Sequence, residues 1–425
     1  MGVFVLAGLF EFKEGSEWLS RSLLQFAKLF FRDWKSERSV SQVAARFDLS
    51  KRTVRRLFRR FEELGEAGIP NGYRQCGNQL DTDWKQRAAQ LRQEHPNWGA
   101  EMIRLCLQEQ HPTEQVPSAR TMQRWLKELE LNPAAPGRRV HEPRAAKRLP
   151  RAEEPHQAWQ IDAAECMKLK CNCCVCWLRI VDECSGAFLK TTVFSHARWE
   201  HVDRFAIRNT LRKAFSRWGL PDRIQVDNGY PWGSTGGFPP EMSLWVMGLG
   251  IDMVWSRPSC PQENGVVERS QGTGKRWAEP ETCNSPAELQ QRLDRLDRLQ
   301  RERYPYHGST RREVFPELKH SGHEYTCRGE RKMWRLAPVL EALSERVAIH
   351  RVDRHGGISI YHYSRYVGKQ HAGQQVYITL DPSGPRWVCA SREGVQWCTH
   401  DARELTKARI LALNVGCRKG SKKGT

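Results

Sequence analysis

The chain has 425 residues, a length that suggests two to four domains. Its 68 Lys and Arg against 49 Asp and Glu leave a formal net charge of +19, so a polyanion is the expected partner and nucleic acid the simplest one. No stretch approaches the roughly 18–20 apolar residues needed to cross a bilayer, so no membrane-spanning helix is expected.

The opening MGVFVLAGLF lacks a basic n-region and runs into Glu11 and Glu14, so it reads poorly as a signal peptide. The 14 cysteines are accordingly expected as reduced thiols in a cytoplasmic protein. Residues 17–75 read as a helix-turn-helix domain. Leu19, Leu23, Phe26, Leu29 and Phe30 recur at helical spacing, SVSQVAARF makes a short helix, and Ser50 caps a third that ends at Gly65. In such a unit the last helix enters the major groove by its N-terminal residues, which nominates Lys51, Arg52, Arg55 and Arg56 for DNA contact. The alternative is a solvated basic face on an ordinary three-helix bundle.

A second helical unit is expected over 80–132, with Ser118 as an N-cap that places Arg120, Gln123 and Arg124 near the start of its last helix. Residues 133–154 shift to Pro, Ala and basic residues and read as a basic linker. From 155 to 306, strand-like and helix-like runs alternate after three consecutive strands, which predicts a mixed sheet covered by helices. Within it, CNCCVC (Cys171, Cys173, Cys174, Cys176) is too compressed to wrap a tetrahedral zinc ion easily and reads as a hairpin connection. Short strands separated by Gly and Pro turns over 345–402 predict a small β-barrel, and 416–425 form a basic tail.

Three acidic residues carry the most specific signal. Asp162 sits among apolar neighbours in AWQIDAAE, where it has no evident packing role. Asp227 ends the run RIQVD before the turn dipeptide Asn228-Gly229, and Glu268 lies in NGVVERS at the start of a helical run. The ordered set QID, VDNG and NGVVER, preceded by helix-turn-helix units, resembles the integrase-core transposases, the DDE family of bacterial insertion sequences and retroviral integrases. The resemblance implies a multidomain α/β protein with an RNase H-like core. It further implies a catalytic and metal-binding triad of Asp162, Asp227 and Glu268 that holds two Mg²⁺ or Mn²⁺ ions, with Asp162 bridging both. The implied function is end-specific cleavage and strand transfer in DNA transposition, carried out by a homo-oligomer on double-stranded mobile-element ends and target DNA. The implied location is the bacterial nucleoid.

Two carboxylates compete for the third place. Glu263 leaves 35 intervening residues after Asp227, the separation familiar in the family, and Glu268 leaves 40. The family's Gly, two apolar residues and Glu match Gly265, Val266, Val267 and Glu268, and the Gly- and Pro-rich YPWGSTGGFPPE absorbs the extra length. Lys275, seven positions beyond Glu268, shares its helical face and is a candidate for holding a DNA phosphate, a solvent-facing lysine being the alternative. Gly272 and Gly274 weaken that helix locally. A catalytically silent, transposase-derived DNA-binding regulator is the competing functional class.

Overall fold

In the computed structural model of the protein, residues 32, 39–46, 49–65, 82–131, 150–233, 237–257 and 261–416 are described, and the chain forms two units, 1–85 and 86–425. Nearly all of the first helix of the helix-turn-helix reading, most of the basic linker and the tail from 417 lie outside the described residues.

In the first unit, α1 (Val40–Arg46) packs against α2 (Lys51–Leu64). The Ser50 hydroxyl accepts the Thr53 N–H at 3.1 Å, and Gly65 ends the helix at a φ of 60°. Val43, Ala44 and Val54 are buried between the two helices, with Leu49 and Leu57 packed against them. Lys51, Arg52, Arg55 and Arg56 are exposed.

The helix α3 (Thr82–Glu94) straddles the unit boundary, followed by α4 (Ala100–Gln110) and α5 (Ala119–Glu128). Ser118 caps α5 by accepting the Thr121 N–H at 3.2 Å. Met122 and Leu126 are buried while Arg120, Gln123 and Arg124 are exposed, the split expected of an amphipathic helix. This helical unit is bonded to the catalytic-core candidate. Trp98 Nε1 donates to the Trp277 carbonyl at 2.9 Å, the Glu279 carboxylate takes His95 Nδ1 at 2.6 Å and the Asn97 N–H at 3.2 Å, and Arg303 meets Glu109 at 2.9 Å.

Three antiparallel strands come next, β1 (Ala158–Lys168), β2 (Cys174–Asp182) and β3 (Phe188–Phe194), then α6 (Arg204–Trp218), β4 (Arg223–Val226), α7 (Glu241–Gly248), β5 (Asp252–Trp255), α8 (Gly265–Ala278) and α9 (Pro286–Glu302). The sheet order is β3-β2-β1-β4-β5, with β4 parallel to both β1 and β5. One face, carrying Trp159, Ile161, Leu178 and Ile180, packs on Ile207, Leu211 and Phe215 of α6. The other meets α8 and α9, through Trp177 and Arg179 among others. Three strands followed by alternating helices and strands are the order expected, and Gly219 ends α6 at a φ of 79°.

Residues 171–173 lie in the β1–β2 connection as expected. Asp182, the last residue of β2, is buried and accepts the His156 N–H at 2.7 Å and the Ser185 N–H at 2.8 Å.

Beyond the core come a short hairpin, β6 (Pro305–Tyr306) and β7 (Ser309–Thr310), and three helices, α10 (Arg311–Val314), α11 (Glu330–Met333) and α12 (Ala337–Ser344). The strands β8 (Ala348–Arg351), β9 (Gly357–Ile360), β10 (Tyr363–Tyr366), β11 (Gln375–Asp381), β12 (Arg386–Ala390) and β13 (Gln396–Asp401) precede a last helix, α13 (Lys407–Leu411). They form two antiparallel sheets, β13-β12-β11-β8 and the hairpin β10-β9. One hydrophobic cluster runs from Trp159 and Phe215 through Trp245 and Trp334 to Trp387 and Ile378, so the C-terminal sheets share the core's interior. Among the described residues, no helix is long and apolar enough to cross a membrane.

Candidate active site

The parallel register of β1 and β4 ends with Gln160 opposite Gln225. Side chains alternate along a strand, so two residues further on Asp162 and Asp227 share the glutamines' face. They therefore stand side by side on neighbouring parallel strands, Asp162 midway along β1 and Asp227 just past the end of β4, where the chain reverses its order across the sheet. Asp227 lies just past the end of β4, and its carboxylate accepts the Gly229 N–H at 3.1 Å. The Asn228 side chain donates to the Ser256 carbonyl at 2.6 Å and fixes the turn to the end of β5.

The same two glutamines set the helix that carries the third carboxylate. The first N–H groups of a helix have no partner within it, and Asn264, the residue before α8, makes no side-chain cap bond. Gln160 supplies the cap from β1, its Oε1 accepting the Val266 and Val267 N–H groups, each at 3.1 Å. The Gln160 and Gln225 amides both donate to the Glu263 carbonyl, at 3.1 and 2.9 Å. Glu268 is thus held in the first turn of a helix docked on β1, which carries Asp162, and on β4, which leads into Asp227.

Glu263 has a different occupation. It is buried, and its carboxylate accepts the Arg257 N–H at 2.8 Å and Nε at 2.6 Å. Burial opposes its charge, yet these bonds hold its carboxyl below the ordinary glutamate range. Glu268 is exposed and close enough to Asp162 to disfavour its ionisation.

One turn along α8, Gln271 was not singled out from the sequence. Its amide donates to the Asp162 carbonyl at 3.0 Å and lies 3.4 Å from Asp162 Oδ2, while its Oε1 accepts Trp177 Nε1 at 2.5 Å. Lys275 follows one turn later, exposed, and lines a cleft of about 500 Å³ together with Asp162, Asp227 and Gln271. Trp199 and Tyr230 complete its wall, joined by a bond of 2.7 Å from Trp199 Nε1 to the Tyr230 carbonyl. Arg269 and Arg276 line a separate cleft, with Arg151, Tyr304 and Arg311.

The glycine read as a weakness of α8 turns out to be a contact requirement. A Cβ at Gly274 would stand 2.3 Å from Arg179 Nη1. The fully buried Arg179 guanidinium lies beneath the helix, donating to the Ser270 carbonyl at 2.5 Å and to Thr191 Oγ1 at 3.0 Å, with Asp297 at 3.7 Å. Close approach of α8 to β2 therefore rests on Gly274, whereas Gly272 meets no neighbour within 4 Å.

Burial, and secondarily the nearby Asp227 and Glu268 carboxylates, push the Asp162 carboxyl up to about 6. Partial desolvation also raises Glu268, exposed as its side chain is. A cation among these groups would relieve both effects, and an all-oxygen carboxylate set matches Mg²⁺ or Mn²⁺ rather than a softer ion. Among the described residues, the three carboxylates do not gather oxygens within 4.8 Å of one another, so it is the oxygen chemistry of these side chains, not a closed cage, that fits a divalent metal.

Of the nominated DNA-reading residues, Arg120 and Arg124 of the second unit are not among those that line this cleft. Lys51, Arg52, Arg55 and Arg56 belong to the first unit, and Arg120 and Arg124 lie on the exposed face of α5.

Comparison with known proteins finds a match between residues 29–70 and the family model of a homeodomain-like domain. Among solved structures, the simian T-cell lymphotropic virus intasome in complex with the PP2A regulatory subunit B56 gamma is similar at 19% identity, over 53% of this chain and 73% of that one, with a TM-score of 0.33. The catalytic core domain of BIV integrase matches at 19% identity over 39% of this chain and 97% of its own, TM-score 0.30. The HTLV-2 integrase catalytic core domain in complex with magnesium matches at 22% identity over 39% and 98%, TM-score 0.29.

Proposed function

We propose that the protein is a DNA transposase that binds the ends of a mobile element, hydrolyses a phosphodiester there and joins the freed 3′-hydroxyl to target DNA. The observation that carries this reading is the placing of Asp162 and Asp227 on one face of the neighbouring strands β1 and β4, with Glu268, Gln271 and Lys275 on the one helix that the paired glutamines dock beside them. The QID, VDNG and NGVVER resemblance points the same way.

Asp162, Asp227 and Glu268 would hold the divalent ions. When bound, the ions activate the attacking oxygen and neutralise charge on the phosphate. Gln271 orients Asp162 through its carbonyl and carboxylate. Lys275 faces the cleft and supplies a positive charge for a DNA phosphate on the same side as the acidic residues. No side-chain nucleophile is required, because water attacks in hydrolysis and the DNA 3′-hydroxyl attacks in strand transfer.

The exposed arginines of α2 and of α5 offer two separated basic helices for end recognition. Joining of two ends requires two active sites on one DNA assembly, so a homo-oligomer on DNA is part of this proposal. Incubation with DNA carrying the element's ends, Mg²⁺ and a target plasmid tests it. Cleaved and joined products support the reading; specific end binding without metal-dependent products would leave a DNA-binding regulator.

A further inference from the structure

The C-terminal sheet carries a thiol and imidazole cluster that the active site does not use. Cys389 on β12 stands directly opposite Cys398 on β13, and His400 follows two residues along β13, so all three side chains share one face. One donor atom from each lies within 4.8 Å of the other two, and Cys389 is fully buried. Cys398 Sγ is 3.5 Å from His400 Nε2, which is itself 3.0 Å from the Tyr366 carbonyl oxygen, and that oxygen is 3.9 Å from Cys398 Sγ.

These separations can be set against a tetrahedral zinc ion. With Zn–S of about 2.3 Å and Zn–N of about 2.0–2.1 Å, a sulfur–nitrogen edge is about 3.6 Å and a sulfur–oxygen edge about the same. The observed 3.5 and 3.9 Å bracket that size, while the 3.0 Å between His400 Nε2 and the Tyr366 oxygen is a hydrogen-bond distance that would open to an edge of about 3.4 Å if both were ligands. The donor set is soft, with two sulfurs and an imidazole, and therefore differs in kind from the oxygen set around Asp162.

We propose that Cys389, Cys398 and His400 bind one Zn²⁺ ion, with the Tyr366 carbonyl or a water in the fourth position. Binding converts two thiols to thiolates and releases their two protons to solvent. Tyr366 ends β10, so the ion would tie the β9–β10 hairpin to the β12–β13 edge of the neighbouring sheet.

Metal analysis and Co²⁺ titration of the reduced full-length protein test this. The expected result is one tightly held Zn²⁺ per chain, replaceable by Co²⁺ with a thiolate-to-cobalt absorption band. The band should disappear in Cys398→Ser and survive in a Cys171→Ser, Cys173→Ser, Cys174→Ser triple variant. Should Cys398→Ser fail to fold, X-ray absorption at the zinc edge of the wild type decides, with two sulfurs and one imidazole nitrogen expected. Absence of a thiolate band at stoichiometric metal, its persistence in folded Cys398→Ser, its loss in the triple variant, or an oxygen-only zinc shell would overturn the proposal.

Discussion

Gln160 and Gln225 face each other across β1 and β4 and donate to one acceptor, the Glu263 carbonyl, at 3.1 and 2.9 Å. Each stands two residues before an aspartate, in the repeated pattern Gln-x-Asp. The pair therefore fixes the start of α8 relative to both carboxylates at once, and Gln160 caps that start as well. Gln160→Leu keeps the approximate size but strands two helix N–H groups, at about 1–3 kcal/mol for each buried group left unpaired. The expected outcome is a cleavage rate lowered by at least tenfold with end binding unchanged, measured by single-turnover cleavage beside a binding titration. An equal loss of both would place the glutamine in folding alone.

Asp162→Asn separates stability from catalysis. The Asp162 carboxyl is raised from 3.8 to about 6 in the folded protein, so the fold holds its proton more tightly than the unfolded chain does. Below pH about 4 both states are protonated and the group contributes nothing. Stability is lost as pH rises from there through about 6, by at most roughly 3 kcal/mol at neutral pH. In EDTA at pH 8, Asp162→Asn should unfold at a higher denaturant midpoint than the wild type, and the gap should close near pH 4. Mg²⁺ should stabilise the wild type and leave the variant unmoved.

Gly272 and Gly274, two residues apart on α8 and therefore on different faces of it, should respond oppositely to alanine. Gly274→Ala drives a methyl group toward Arg179 and is expected to destabilise by about 1–3 kcal/mol despite the better helix propensity. Gly272→Ala meets nothing within 4 Å and should be neutral or stabilising by up to about 1 kcal/mol. Thermal unfolding of the pair checks this, and equal effects would contradict the close approach of α8 to β2.

Arg52 and Arg55 lie exposed at the start of α2, behind the Ser50 cap. Alanine at either should weaken end binding by about 1–3 kcal/mol if it reads a base edge, or lower the salt slope by about one if it meets a phosphate. Cleavage at saturating protein should be retained. Binding titrations across salt concentrations measure both.

Local signals were the legible part of the sequence. Ser50, Ser118, Gly65 and Gly219 act within a few residues of themselves, and each caps its helix as their chemistry predicts. The strands of the core follow from apolar runs, and Asp162 and Asp227 stood out because an acid there has no packing use. What was not legible depends on register between distant segments. Gln160 looks like an unremarkable polar residue until β4 brings Gln225 beside it, and Gly274 reads as a helix breaker until Arg179 is found beneath it. Gln271 acquires meaning only through Asp162 and Trp177. The short helices α10 to α12 carry too few turns to show a period, and the C-terminal strands suggested a barrel because alternation along a strand does not say which strands pair.

The most direct test of the central claim is cleavage and strand transfer on DNA bearing the element's own ends, with wild type and Asp227→Asn, in Mg²⁺ or Mn²⁺ and in EDTA. Metal-dependent cleaved and joined products from the wild type, absent from a variant that still binds the ends, are the predicted result. Products that persist in Asp227→Asn or in EDTA, or a wild type that binds the ends tightly and never cuts them, would contradict it.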